Sequence, residues 1–463
     1  MSGEIELGPA MPSRSGDLSI EARGMEPIPP TNRYGSPGRI FTVWFAPNLV
    51  PPAFFLGTLA AADFLQLGFT SGLIAIILGN LIGSSLVGLL ITMGPKTGMA
   101  QLPFARLPFG KSIVLPAGIN WLACIAWDAF DTIFGAAAIS LLTGLPFVFG
   151  VAVIIVAQAV IGIIGYEAIH TFQKWMSVVL AALFVAITIG VIRVGDFGSV
   201  DGFTGADQLA AFVTMTTIVA SFVMAWGVYA SDYSRYLPSQ TSSRALFLAT
   251  VGGLTLSAGW LEILGLSVAG IIAGNGVENI RDDVLGGGLI GALAMVAMAL
   301  GTVSVNVMND YTGSLSLQAA GIRIPRPVSA AVVATLAFFL TLVLNSGDLA
   351  ASFGNYLLLL SYWVAPFAAV VLVDWWLRGQ RADPWKLLDL RQLPSGWTAL
   401  IAFVVGLLAS VPFMSTALFI GPISSGILHF ADVAYFVGFA VAGLVYWVLA
   451  RIGNVPAEEA APA

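Results

Sequence analysis

Polar positions along this chain come in short clusters, and the stretches between them are almost wholly apolar. Such stretches lie near 41–62, 71–95, 113–142, 147–165, 175–195, 210–236, 246–273, 287–320, 328–345, 353–377, 397–417 and 431–450. A helix of about 20 apolar residues crosses a hydrocarbon core of about 30 Å. The pattern therefore predicts an all-α integral membrane protein of about twelve transmembrane helices, with no segment left over for a soluble domain. Composition agrees: of 463 residues, 58% are hydrophobic and 10% charged.

Basic residues divide unevenly between the connecting segments. With the N-terminus inside, Arg14, Arg23, Arg33, Arg39, Lys96, Arg106, Lys111, Lys174, Arg235 and Arg244 fall on the inner face. So do Arg323, Arg326, Arg378, Arg381, Lys386, Arg391 and Arg451, which leaves Arg193 and Arg281 outside. Cytoplasmic loops collect Lys and Arg, so this split predicts both termini in the cytoplasm and a multi-pass protein of the plasma (inner) membrane. Outer loops carry Asp196, Asp201, Asp207, Glu278, Asp282 and Asp283. The net charge of −6 thus reflects loop composition and points to no nucleic acid partner. Residues 1–38, rich in Pro, Gly and Ser, read as a disordered cytoplasmic tail, and the end from 454 to 463 reads likewise. No apolar core precedes Phe41, so a signal peptide is not expected. Cys124 is the single cysteine, which excludes a disulfide framework, and His170 and His429 lack ligand spacing around them.

Proline changes the picture in the first span. "APNLVPP", Ala46 to Pro52, places Pro47, Pro51 and Pro52 inside an apolar segment. Proline lacks an N–H and its ring obstructs the carbonyl one turn earlier, so the helix must break here. Within lipid a broken helix is tolerated where it faces protein or an aqueous cavity, and paired discontinuous helices build the solute and ion sites of secondary transporters. A plain proline kink is the simpler alternative. A second break is expected five spans on, in "ASFVMAWGVYASDYSRYLP" (Ala220 to Pro238), where Gly227 and small residues interrupt the bulky Phe222, Trp226 and Tyr229.

Intramembrane polar groups concentrate in two further spans. In "INWLACIAWDAFDTIFGA", Cys124, Trp127 and Asp131 share one helical face, with Asp128 adjacent. Carboxylates in an apolar helix are costly and commonly face a cavity on a substrate or proton pathway. The third-span pair could otherwise serve an ion pair near a helix end. In "GTVSVNVMNDYTGSLSLQ", Ser304, Asn306, Asn309, Asp310 and Thr312 crowd the eighth span, where helix-to-helix hydrogen bonding is the simpler reading. Glu262 in the seventh span has no partner legible from sequence.

These residues resemble the nucleobase:cation symporter family one, in its purine-cytosine permease branch. The resemblance covers almost the whole chain, through "IEARGMEPIPPTNRY", "WFAPNL", "LGTLA", "GPKTGM", "ARLPFG", "YASDYSRYLP", "VNVMND" and "PFAAVVLVDWWLR" in that order. It implies a five-plus-five inverted-repeat transporter fold, with repeats at 39–195 and 196–378, discontinuous first and sixth helices, and two further helices over 379–453. It implies nucleobase uptake driven by a cation and no enzymatic activity. Carried over residue by residue, Trp127 stacks on the substrate ring, Asp131 lies one turn later, and Asn309 hydrogen-bonds the base; Phe222 or Trp226 supplies the second aromatic. Asn48 in the break and Cys124 complete the candidate set. A sodium site would use carbonyls of Ala46 and Leu49 with Ser304, but Val303, Val307 and Met308 stand where further oxygens belong. Asp131, with Asp128 beside it, offers a titratable group instead and tips the reading towards protons; no other cofactor is implied. The alternatives are a sodium-coupled transporter of the same fold for allantoin, hydantoin or a thiamine-like heterocycle, or one for an amino acid or osmolyte. The sequence does not choose among the nucleobases or give an oligomeric state.

Overall fold

The protein is described here by a computed structural model covering residues 25–453 apart from 165, 273 and 323. The expected tails over 1–24 and 454–463 lie outside the described residues. Among the described residues the chain is helical, with a single isolated β-bridge between Ser415 and Ile420. The first span comprises α1 (Pro37–Phe45) and α2 (Pro51–Thr58). Then follow α3 (Phe69–Leu90), α4 (Val114–Thr143), α5 (Phe147–Ile164) and α6 (Tyr166–Val194). The sixth span holds α7 (Gly205–Met224) and α8 (Ala230–Ser234), followed by α9 (Ser243–Ser267) and α10 (Gly288–Ala319). Last come α11 (Arg326–Leu344), α12 (Leu349–Leu377), α13 (Trp397–Ser410) and α14 (Ala434–Ile452).

Helices stand at each of the expected places. Eight stretches are long and apolar enough to cross a membrane, and the bent first pair qualifies as one more span; Phe147–Ile161, Val328–Leu344 and Trp397–Phe413 are shorter apolar helices. Val156, Val178, Phe339 and Leu408 are exposed on the outside of the bundle, where a hydrocarbon solvent removes the cost of leaving them uncovered.

The prolines explain the first span. Pro47 sits in the 3₁₀ turn over Ala46–Asn48 that closes α1, and Pro51 and Pro52 open α2, at a helix start where an N–H has no intrahelical acceptor. Leu49 and Val50 leave the helical region, with ψ of 63° and 153°, and the two halves meet at 63°. The carbonyls at the break are shared out locally: Asn48 Nδ2 donates to Trp44 O at 2.6 Å and Leu49 N donates to Ala46 O at 3.0 Å. The sixth span departs from expectation. It does not part but is overwound, with a 3₁₀ stretch over Ala225–Tyr229 between α7 and α8. Without proline every residue keeps its N–H, so i to i+3 bonding replaces a true gap.

Two groups of helices face each other across the breaks. α4 packs along α10 and against α5 and α11, while α3 packs against α7 and α9, and α9 against both halves of the first span. α12, α13 and α14 pack on one another, with α12 also against α7. Glycine sets the closest approach: a Cβ on Gly57 would lie 1.8 Å from Glu262 O, and one on Gly265 1.8 Å from Phe54 O, so α2 and α9 touch backbone to backbone.

The two ends differ in charge, as the loops predict. At one end Arg106, fully buried, donates to the carbonyls of Gln318, Ala319, Leu387 and Leu388, joining the 101–109 helix to the end of α10 and to the segment after α12. Lys96 donates to Gln380 at the same end. At the other end Asp201 accepts from Gly68 N and Ser71 Oγ, and Asp207 meets His429 at 2.8 Å. The expected tail is corrected over 25–38. Ile28 is buried and its N–H donates to Gly98 O, Arg33 donates to Pro95 O at 2.5 Å, Tyr34 N donates to Tyr236 O, and α1 begins at Pro37. Proline and glycine here shape a strap whose few apolar and basic residues find partners.

Candidate functional site

Where the first break, α4, the overwound stretch and α10 converge, a small cavity of about 20 Å³ lies inside the bundle. Pro47 and Val50 reach it from the first break, because the extended backbone there leaves no helix turn to fill the space. α4 contributes Trp127 and Asp131, one turn apart on the same face. Phe222, Ala225, Trp226 and Tyr229 come from the sixth span, and Val305 and Asn309 from α10. All are buried, with Trp127 and Trp226 each 8% exposed.

The walls are aromatic. Trp127 sits edge-to-face with Phe222, ring centroids 5.6 Å apart, and is backed by Tyr356 at 5.2 Å and Phe353 at 6.2 Å. Trp226 is fixed by its indole N–H, which donates to Asn48 Oδ1 at 3.1 Å, and by Trp44 and Tyr229 edge-on at 5.5 and 5.2 Å. The polar edge is a chain of three residues. Tyr229 OH donates to Asn309 Oδ1 at 2.9 Å, and Asn309 Nδ2 points to Asp131 Oδ2 at 3.4 Å. Tyr229 thereby fixes which end of the Asn309 amide faces Asp131: the N–H end.

Five of the expected residues, Trp127, Asp131, Phe222, Trp226 and Asn309, line the cavity together. Phe222 and Trp226, left as alternatives by the sequence, both line it. Asn48 and Cys124 stand one layer behind: Asn48 holds Trp226, and Cys124 Sγ meets Tyr229 OH at 3.2 Å. Asp128 turns away, to Gln158 on α5, whose Nε2 donates to its Oδ2 at 2.7 Å. Of the candidate sodium ligands, Ala46 O already accepts from Leu49 N, and Leu49 O faces α10 at Gly301. Ser304 is tied to Gln173 on α6, donating its hydroxyl to Oε1 and accepting Nε2 at its carbonyl, both at 2.6 Å. Glu262 gains the partner that sequence did not name: Asn80 Nδ2 of α3, at 2.5 Å. Among the described residues no group of three or more His, Cys, Asp and Glu could hold a metal ion.

Tyr229 is the polar lining residue missed from the sequence. Its signal lay in the winding: at three residues per turn Trp226 and Tyr229 eclipse each other, whereas an α-helical period separates them. Below the cavity, Asp232 accepts from Gln101 N at 2.9 Å and Thr312 Oγ1 at 2.7 Å, closing that end with α8, α10 and the 101–109 helix.

A buried cavity with aromatic walls and one polar edge, set at a helix break inside a bundle of membrane-length helices, defines a membrane transporter for a small planar solute. The chain belongs to the family of permeases for cytosine/purines, uracil, thiamine and allantoin, which matches residues 27–438. Among curated relatives it is 27% identical over 450 residues to the putative purine-cytosine permease YxlA of Bacillus subtilis, covering 94% of this chain and 96% of that one. It is 28% identical over 459 residues to the purine-cytosine permease fcyB of Emericella nidulans, covering 94% and 89%. Its fold is similar to that of Mhp1, a nucleobase-cation-symport-1 family transporter seen closed on bromovinylhydantoin, with a TM-score of 0.75 at 19% identity over 95% and 98% of the two chains.

Proposed function

We propose that this permease imports a nucleobase, cytosine or a purine, together with a proton by alternating access at the plasma membrane, with both termini in the cytoplasm. Twelve crossings and two inverted repeats, 39–195 and 196–378, complete the picture. The observation that carries the reading is the cavity's anisotropy: Trp127, Phe222 and Trp226 offer ring surfaces, while Tyr229, Asn309 and Asp131 line up donors and acceptors on one side. A planar heterocycle presents the complementary arrangement, two apolar faces and a hydrogen-bonding edge. The purine-cytosine names of the curated relatives favour nucleobases over other heterocycles. An amino acid or osmolyte fits less well, since no glycine-lined backbone cradle for a carboxylate stands at the first break.

Protons are preferred to sodium on two grounds. Asp131 places a titratable group against the substrate edge. Ser304, the candidate side-chain ligand of a sodium ion beside the first break, is bonded twice to Gln173. In this reading Asp131 takes a proton with the base and releases it inside. Displacement of bound radiolabelled cytosine or adenine from the purified protein by a panel of nucleobases, hydantoin, allantoin, thiamine and amino acids tests the substrate class. Displacement by nucleobases at low concentration is expected; displacement by amino acids alone would overturn it.

A further inference from the structure

Behind the cavity, between α4, α5 and α10, lies a second polar cluster that the transport reading does not use. Asp128 and Asp310 both face Gln158, whose single Nε2 reaches Asp128 Oδ2 at 2.7 Å and Asp310 Oδ2 at 3.5 Å. The other oxygen of each carboxyl, Oδ1, is buried with no hydrogen-bond partner. Asp128 is 0% and Asp310 1% exposed, and neither pairs with a Lys, Arg or His among the described residues. Of the remaining titratable groups, Asp131 on α4 acts electrostatically on Asp128, and the pair in turn acts on the buried Cys124 thiol. Residues 147–161 of α5 and 328–344 of α11 contain none, and Lys174 and Arg193 on α6 are exposed.

Two buried carboxylates sharing one amide donor and no cation cannot both be ionised at tolerable cost, since each needs hydrogen-bond donors or a counter-charge. One proton removes the conflict: it neutralises one carboxyl and turns it into a donor. A metal cation fits worse, because the amide N–H of Gln158 occupies the direction from which converging oxygens would have to come. We propose that Asp128 and Asp310 form a proton-binding site distinct from Asp131, holding one proton between them and linked to substrate binding.

The link is a chain of amides. Gln158 Oε1 accepts from Asn306 Nδ2 at 2.8 Å, and Asn306 also donates to Thr132 Oγ1 at 3.0 Å. Its Oδ1 faces Asn309 Nδ2 at 3.5 Å, on the edge of the cavity. In sequence, too, each carboxylate is next to a lining residue, Asp128 to Trp127 and Asp310 to Asn309. A proton moving within the pair reorients Gln158, then Asn306, and so the donor offered to the base.

The link rests on the nucleobase reading, whereas the site itself does not. Infrared difference spectroscopy on the purified full-length protein separates them. At neutral pH a protonated-carboxyl band, identified by its shift in D₂O, is expected to be lost or displaced in Asp128→Asn and in Asp310→Asn yet retained in Asp131→Asn. Gln158→Met, which keeps both carboxyls but removes the shared donor, should shift that band without abolishing it, and serves if an Asp variant fails to fold. Addition of cytosine or adenine should shift the same band in the wild type. A spectrum in which none of Asp128→Asn, Asp310→Asn and Gln158→Met alters a protonated-carboxyl band overturns the site. A pair band indifferent to a base whose binding is evident from tryptophan fluorescence overturns the link. Absence of any base binding, with the pair band present, contradicts the nucleobase reading and leaves the proton site standing.

Discussion

Tyr229→Phe is the perturbation that separates a positioned amide from a merely polar cavity. The hydroxyl donates to Asn309 Oδ1 at 2.9 Å, with Cys124 Sγ behind it at 3.2 Å, and removing it leaves the ring and its contact with Trp226 in place. Such a bond contributes about 0.5–1.5 kcal/mol net. If its work is to hold the Asn309 amide in the binding orientation, substrate affinity falls by about 2- to 12-fold. Asn309→Ala takes away the donor itself and leaves the base edge unpaired in a dry site, at a cost of about 1–3 kcal/mol. The decisive comparison is the double variant. A tyrosine acting through Asn309 has nothing left to orient, so Tyr229→Phe in the Asn309→Ala background should cost no more than the roughly 0.3–0.5 kcal/mol scatter of independent sites. Equilibrium binding of radiolabelled cytosine or adenine to the four purified proteins, at matched folded yield, gives the cycle. Full additivity of the two losses would refute the positioning role and place the hydroxyl directly on the substrate.

Trp127→Ala should weaken binding by about 1–3 kcal/mol, the usual value of one base-stacking aromatic, with membrane expression intact; unchanged affinity removes the tryptophan from the site. Gly57→Ala puts a methyl group 1.8 Å from Glu262 O and forces α2 from α9, so a lower midpoint of thermal unfolding in detergent is expected, about 1–3 kcal/mol of overpacking. A midpoint equal to that of the wild type would mean the two backbones are not in contact. Pro51→Ala combined with Pro52→Ala should impair uptake more than protein yield, since added N–H donors favour helix where the break belongs; full activity would make the break incidental.

Much of this site was legible because some residue types act alone. Proline announces a break by its missing N–H, and in the structure Pro47 lies in the turn that closes α1 while Pro51 and Pro52 open α2. Trp127 and Asp131 share a face by spacing within one helix, and both line the cavity. What stayed hidden depends on neighbours distant in sequence. Asp128 looks equivalent to Asp131 until Gln158, on the next helix, draws it away. Glu262 finds Asn80 across 182 positions. The overwound sixth span was misread as a gap because glycine lowers helix propensity without dictating what replaces the helix. Its winding in turn decides that Tyr229 faces the cavity. The strap over 25–38 reads as disordered by composition, yet a handful of backbone and arginine bonds suffice to dock it.

Proton-driven nucleobase uptake is tested most directly in proteoliposomes of the purified protein, with imposed gradients and labelled cytosine or adenine. An inward proton gradient without sodium should drive accumulation above the external concentration, rising as external pH falls. Asp131→Asn, which keeps the hydrogen-bonding shape without a titrating proton, should still exchange base across the membrane but fail to accumulate it. Accumulation driven instead by a sodium gradient, indifferent to pH and abolished by Ser304→Ala, would contradict proton coupling. Failure of either gradient to accumulate any nucleobase would contradict the function itself.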